Sequence, residues 1–139
     1  MKSFREHNKN MGGIQVMKVI STEKAPAAIG PYSQAIMVDG VLFTSGQIPL
    51  NPATGSVAGS DIETQTEQVM RNLSAVLKEA GMDFENVVKT TCFIANMEYF
   101  SAFNQIYSKY FVSKPARSCV EVSRLPKNVL VEVELIAKK

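Results

Sequence analysis

Histidine is nearly absent from this chain: the only one, His7, stands in a polar stretch ahead of the first apolar run. That excludes a Ser-His-Asp triad, a Cys-His pair and a histidine-rich metal site. Cysteine is scarce as well. Cys92 and Cys119 lie far apart with no C-x-x-C spacing, which points to free thiols in a reducing cytoplasm rather than a disulfide framework. No apolar run approaches the ~20 residues of a spanning helix, which argues against a membrane role. Charge of one sign is barely in excess, a net +2 from 15 basic and 13 acidic side chains. The basic residues are scattered, so there is no nucleic-acid footprint. Gly-rich phosphate loops and metal-ligand clusters are missing too, and neither a cofactor nor a metal is expected. The chemistry left to the chain uses carboxylate, guanidinium, hydroxyl, thiol and backbone groups.

What is there suffices for one domain. The 139 residues are 45% apolar and 20% charged, and a chain of this size buries roughly two-thirds of its unfolded surface without staples. Residues 1–16 are polar and Gly-containing, with no apolar segment of signal-peptide length. They are expected to be a flexible leader or a matter of start-site choice, since Met11 and Met17 could also begin the chain. The domain then spans 17–139.

Met17–Ser21 predicts a first strand, and Lys24–Pro31 an irregular loop set by Pro26 and Pro31. Tyr32–Val38 and Val41–Gln47 flank Asp39-Gly40, a strong hairpin signal, and Asn51–Gly55 is turn material. A helix begins at an N-cap, Ser60 or Asp61. It carries Val69, Leu73, Val76, Leu77 and Ala80 on one face and ends at Gly81. Val87–Ala95 predicts a strand with Val88, Cys92 and Ile94 on one side. A second helix runs from about Glu98 to Phe111 with an aromatic stripe of Phe100, Phe103, Tyr107, Tyr110 and Phe111. Two strands close the chain, Arg117–Ser123 and Val129–Ala137, joined by R-L-P-K-N. The succession predicts an α+β layer with both helices on one face of the sheet.

Alternation sorts the polar groups. In the last strand Val129, Val131, Val133 and Leu135 share the side meant for the helices, and Glu132 and Glu134 face away. In the strand before it Arg117, Cys119 and Glu121 share one side, Ser118, Val120 and Val122 the other. The expectation is a second, polar sheet face bearing a guanidinium, a thiol and several carboxylates. It is either a solvated outer face or a subunit interface holding pockets.

Five stretches occur together: G-P-Y-S-Q (Gly30–Gln34), T-S-G-Q-I-P (Thr44–Pro49), P-A-R-S-C-V-E-V (Pro115–Val122), L-P-K (Leu125–Lys127) and V-E-V-E-L-I-A (Val131–Ala137). In order and spacing they resemble the YjgF/RidA proteins, and the likeness runs from about Met17 to Lys139. The resemblance implies a chorismate-mutase-like α+β fold. It implies a homotrimer whose sheets line a barrel-like core, with pockets between subunits. The implied activity is hydrolysis of reactive 2-imino and enamine acids such as 2-aminoacrylate to 2-keto acids and ammonia. Residue by residue, it assigns Arg117 to the substrate carboxylate, Glu132 to the catalytic water, and Cys119 beside them, with Tyr32, Ser45, Gly46 and Asn104 lining the pocket. The link Val112–Lys114 is slightly shorter than the family's usual one.

These side chains suit that chemistry. Arginine offers a permanently charged planar fork to a carboxylate, and a glutamate can hold water and shuttle a proton. Cys119 has no histidine to act as its base, so packing or water positioning suits it better than covalent catalysis, and Cys92 belongs to the core. Tyr32 either closes over the substrate or packs between subunits; Asn104 either lines the pocket or faces solvent. Two other readings stand beside it: a small-ligand-binding regulatory or chaperone-like module using the same pockets, and an endoribonuclease, an activity the resemblance also carries but the near-neutral charge disfavours.

Overall fold

Asp39 and Gly40 fold the chain back as their sequence predicts. Both have left-handed backbone, φ 52 and 75, as a type I′ turn requires. They join β3 (Ala35–Val38) to β4 (Val41–Thr44) in antiparallel register, Val38 facing Val41. The computed structural model describes residues 6–8 and 16–139. Glu6–Asn8 forms a short strand, β1, antiparallel to β2 (Val16–Ile20). The remainder of the expected leader lies outside the described residues.

Helix α1 (Ile62–Glu79) starts where Asp61 accepts the Thr64 N–H at 2.9 Å. It stops before Gly81, whose φ of 74 is the left-handed C′ geometry. Val69, Leu73, Val76, Leu77 and Ala80 are all buried. The chain continues through β5 (Val87–Ile94), a 3₁₀ turn, α2 (Phe100–Tyr110), β6 (Ala116–Glu121) and β7 (Val131–Lys138). The sheet order is β1-β2-β3-β4-β7-β5-β6. β7 is antiparallel to both β4 and β5, and β6 is parallel to β5. The two helical crossovers, β4-α1-β5 and β5-α2-β6, therefore step in the same direction across the sheet. Right-handed crossovers then put both helices on one face. This is the expected α+β architecture.

The core fills the space between helices and sheet, with Leu42, Val133 and Leu135 against Val69, Leu73 and Phe103. Buried amides on α1 fix the loops around it. Gln65 accepts from Leu130 N–H at 2.8 Å, ahead of β7, and Asn72 donates to the carbonyls of Ile48 (3.1 Å) and Leu50 (3.0 Å).

Three expectations about faces are corrected. Strict alternation put Val88 inside with Cys92 and Ile94, but a bulge between Val87 and Lys89 shifts the phase. Val87 is buried and Val88 is 51% exposed. Arg117, Cys119 and Glu121 do not share a face with Glu132 and Glu134. Parallel register sets Arg117 opposite Thr90 and Cys119 opposite Cys92, and directly opposed residues point the same way. Thr90 and Cys92 are buried on the helix side, whereas Glu132 pairs with Phe93 on the other. Nor is the bare face chiefly polar. Besides Glu132 and Glu134, the registers align Phe93, Ile136, Phe43 and Ile36 there, and Phe43 is 44% exposed.

Candidate functional site

β6 is the last strand of the sheet, and α2 lies along it. Arg117 therefore leaves the sheet edge toward the helix. Its Nη1 donates to Asn104 Oδ1 at 2.7 Å, and its guanidinium carbon stands 4.8 Å from the Tyr107 ring centre and 5.4 Å from that of Phe100. Such cation–π contacts contribute roughly 0.5–2 kcal/mol each. The Tyr107 hydroxyl is itself fixed by the Thr90 hydroxyl at 2.7 Å, and burial pushes the phenol's pKa up. Among the described residues no carboxylate pairs with Arg117. Glu121 instead accepts the Met97 N–H at 2.6 Å. The remaining guanidinium donors are thus free for a ligand, beside a cleft of about 460 Å³ lined by Arg117, Asn104, Tyr107, Ser108, Val112 and Lys114.

Cys119, on the same side of β6 as Arg117, is half-buried and directly opposite the fully buried Cys92. The neighbouring Cys92 thiol, which itself donates to Thr90 Oγ1 at 3.9 Å, draws Cys119 down to about 7; burial opposes this and the Arg117 charge assists it. Cys92 is pushed up in turn, by the Cys119 sulfur first and by burial second.

Glu132 stands on the bare face, half-buried, over Gly46. A Cβ added at Gly46 would lie 1.9 Å from Glu132 Oε2 and 2.9 Å from its Cγ. Gly46 is held there because Gln47 and Val133 exchange backbone hydrogen bonds of 2.8 and 3.2 Å. Desolvation, with a smaller contribution from the Glu134 charge, raises the Glu132 pKa above the ordinary carboxylate value. Ser45 donates its hydroxyl to Ser33 O at 2.6 Å, which ties it to the loop carrying Tyr32. That tyrosine is 52% exposed.

The predicted residues thus fall into two groups. Arg117, Asn104 and Cys119 form one at the β6 edge; Glu132, Gly46 and Ser45 form the other, with Tyr32 on the adjoining loop. Arg117 and Glu132 are two strands apart, roughly 10 Å across the sheet, offset by three residues along it, and on opposite faces. Within one chain they do not meet. Asn104, left open between pocket and solvent, turns to the guanidinium.

The family model described as Endoribonuclease L-PSP matches residues 22–139. Similar proteins include AldR of Lactococcus lactis subsp. lactis, which carries a regulator's name, 63% identical over 123 residues that span 88% of this chain and 98% of that one. The 2-iminobutanoate/2-iminopropanoate deaminase of Mus musculus is 49% identical over 123 residues, 88% of this chain and 91% of that one. The chain belongs to the YjgF/RidA family. Among solved Rid structures, YyfA from Yersinia pestis superposes with a TM-score of 0.86 at 54% identity, covering 88% of this chain and 99% of that one. TdcF of E. coli with bound serine gives 0.83 at 39%, covering 87% and 98%. The Rid family thus includes proteins named as imine deaminases and one solved with a small ligand.

Sequence reasoning treated Phe100 and Tyr107 of this Rid chain as core alone and passed over Gln34. The two aromatics also form the platform under Arg117. Helical spacing held the clue: Phe100, Asn104 and Tyr107 stand at i, i+4 and i+7, one face, with a single amide between two rings. Gln34, buried, accepts the Thr22 N–H at 2.7 Å and donates to Pro26 O at 2.8 Å, holding the loop before Tyr32. No local pattern marks it.

Proposed function

We propose that this Rid chain hydrolyses 2-imino acids, formed from enamines such as 2-aminoacrylate, to 2-keto acids and ammonia, without a cofactor and in the cytoplasm. The observation that carries the reading is a guanidinium with no carboxylate partner among the described residues, oriented by Asn104 and two aromatic rings beside a cleft. Such a fork fits a substrate carboxylate in two parallel hydrogen bonds. The imine carbon next to that carboxylate takes up water. Glu132, its pKa raised by desolvation, accepts a proton from the water and passes it to nitrogen, giving the carbinolamine, and then carries the hydroxyl proton to the same nitrogen, which leaves as ammonia as the carbonyl forms. Gly46 leaves room for that carboxylate, Ser45 and Tyr32 border it, and Cys119 sits beside Arg117 as a packing or water-positioning group.

Because Arg117 and Glu132 face opposite ways, a complete site needs the β6 edge of one copy against the bare sheet face of another. The homotrimer with pockets between subunits meets that requirement. It would also cover Phe43 and Phe93.

A non-catalytic regulatory module is the second reading, favoured by the name AldR bears. The test generates 2-aminoacrylate enzymatically and follows pyruvate. Wild type should outpace spontaneous hydrolysis. Arg117→Ala should raise KM on the order of 10²–10⁴-fold, from two charge-assisted bonds of about 1.5–3 kcal/mol each. Glu132→Gln should lower kcat by about 10²–10⁴ while keeping ligand affinity. A wild type no faster than the spontaneous reaction leaves only the binding reading.

A further inference from the structure

We propose that Cys119 and Cys92 form a peroxide-reactive pair, in which Cys119 is the attacking thiol and Cys92 resolves its sulfenic acid to a disulfide between β5 and β6. The two residues are direct partners in the parallel register and lie on the same face. Neighbouring strands run about 4.8 Å apart, within the ~4.4–6.8 Å that disulfide-bonded Cα atoms span. Exposure separates the roles. Cys92 is wholly buried, while Cys119 is half-buried on the side of β6 from which Arg117 reaches its cleft, so a small oxidant meets Cys119 first. Reactivity separates them in the same sense. The thiolate is the nucleophile, and the neighbouring Cys92 thiol and the Arg117 charge both favour it at Cys119.

The oxidant is hydrogen peroxide. The Cys119 thiolate sulfur attacks one peroxide oxygen and the O–O bond breaks. The other oxygen leaves as hydroxide and takes a proton to become water. Cys119 is thereby oxidised to the sulfenic acid by two electrons. The Cys92 sulfur then attacks the Cys119 sulfur; its proton goes to the departing hydroxyl, and a second water leaves. Two thiols and one peroxide yield one disulfide and two waters. Side chains on adjacent parallel strands stand beside rather than toward each other, so the bridge is a strained one, and strained disulfides are readily reduced. The modification is reversible by thiols.

The test treats the full chain with stoichiometric hydrogen peroxide, blocks remaining thiols with an alkylating agent, and reads intact mass and peptide masses. Wild type should lose two hydrogens, resist alkylation, and give a cross-linked peptide containing Cys92 and Cys119 that dithiothreitol separates. Cys92→Ser should instead gain one oxygen and take a sulfenic-acid-selective diketone, whereas Cys119→Ser should keep its remaining thiol reduced at the same dose. If circular dichroism finds Cys92→Ser unfolded, Cys92→Ala takes its place, and the wild-type masses stand independently of both. Wild type that keeps both thiols alkylatable overturns the proposal. So does wild type that collects two or three oxygens on Cys119 beside a free Cys92, or Cys119→Ser that is oxidised as fast as wild type. None of these masses depends on deaminase activity.

Discussion

At position 46 only glycine leaves the Glu132 carboxylate where it is. The φ of Gly46 is not in the left-handed region, so the demand is for space rather than backbone freedom. An alanine methyl 1.9 Å from Oε2 and 2.9 Å from Cγ leaves the side chain no choice but another rotamer. The obstacle is flexible and half-buried, and the chain can yield without repacking its core. Gly46→Ala should therefore lower kcat by about 10²-fold, toward the Glu132→Gln value, while the thermal midpoint moves by only a few degrees. Steady-state kinetics beside a melting curve checks this. An alanine variant with wild-type kcat would mean that the Glu132 position is irrelevant to turnover.

Among the elements, α2 does most to define the site, because Phe100, Asn104 and Tyr107 together aim the Arg117 fork. Asn104→Ala removes the one hydrogen bond that the guanidinium makes among the described residues. It should raise KM about tenfold, one charge-assisted bond's worth, and leave kcat nearly intact. Asn104→Asp should do worse, since a carboxylate at that distance competes with the substrate for the fork; measured KM values in the order Asp, Ala, wild type would bear this out. The elements themselves were legible in the sequence. Asp61 and Gly81 bracket α1, Asp39-Gly40 makes the hairpin, and alternation inside β6 and inside β7 was read correctly. What could not be read was the phase of one strand against the other. It passes through β5, whose parallel pairing with β6 and bulge at Val87/Lys89 leave no trace in either strand's own pattern. Hence Arg117 and Glu132 are expected on one face and lie on opposite ones.

For the whole molecule, the same-direction crossovers have a consequence larger than the fold. With both helices on one side, the opposite face keeps Phe43, Phe93, Ile36 and Ile136 without a covering layer among the described residues, and in the proposed assembly a face of that kind serves as the interface. The two half-sites lie on either side of this division, the guanidinium at the β6 edge and the glutamate on the uncovered face. If one copy's edge docks on another's face, each site draws Arg117 from one subunit and Glu132 from the next, and defects in different subunits must complement. Arg117→Ala supplies sound glutamates only, and Glu132→Gln sound arginines only, so each assembly is nearly inactive alone. Co-assembled at random in equal amounts, about a quarter of the interfaces combine a wild-type arginine with a wild-type glutamate, whatever the number of subunits in a closed ring. Pyruvate formation from co-expressed variants should therefore recover to about a quarter of the wild-type rate. It should vanish when the two proteins are prepared separately and mixed without exchange. A site built within one chain predicts no recovery in either preparation, because every subunit then carries its own defect.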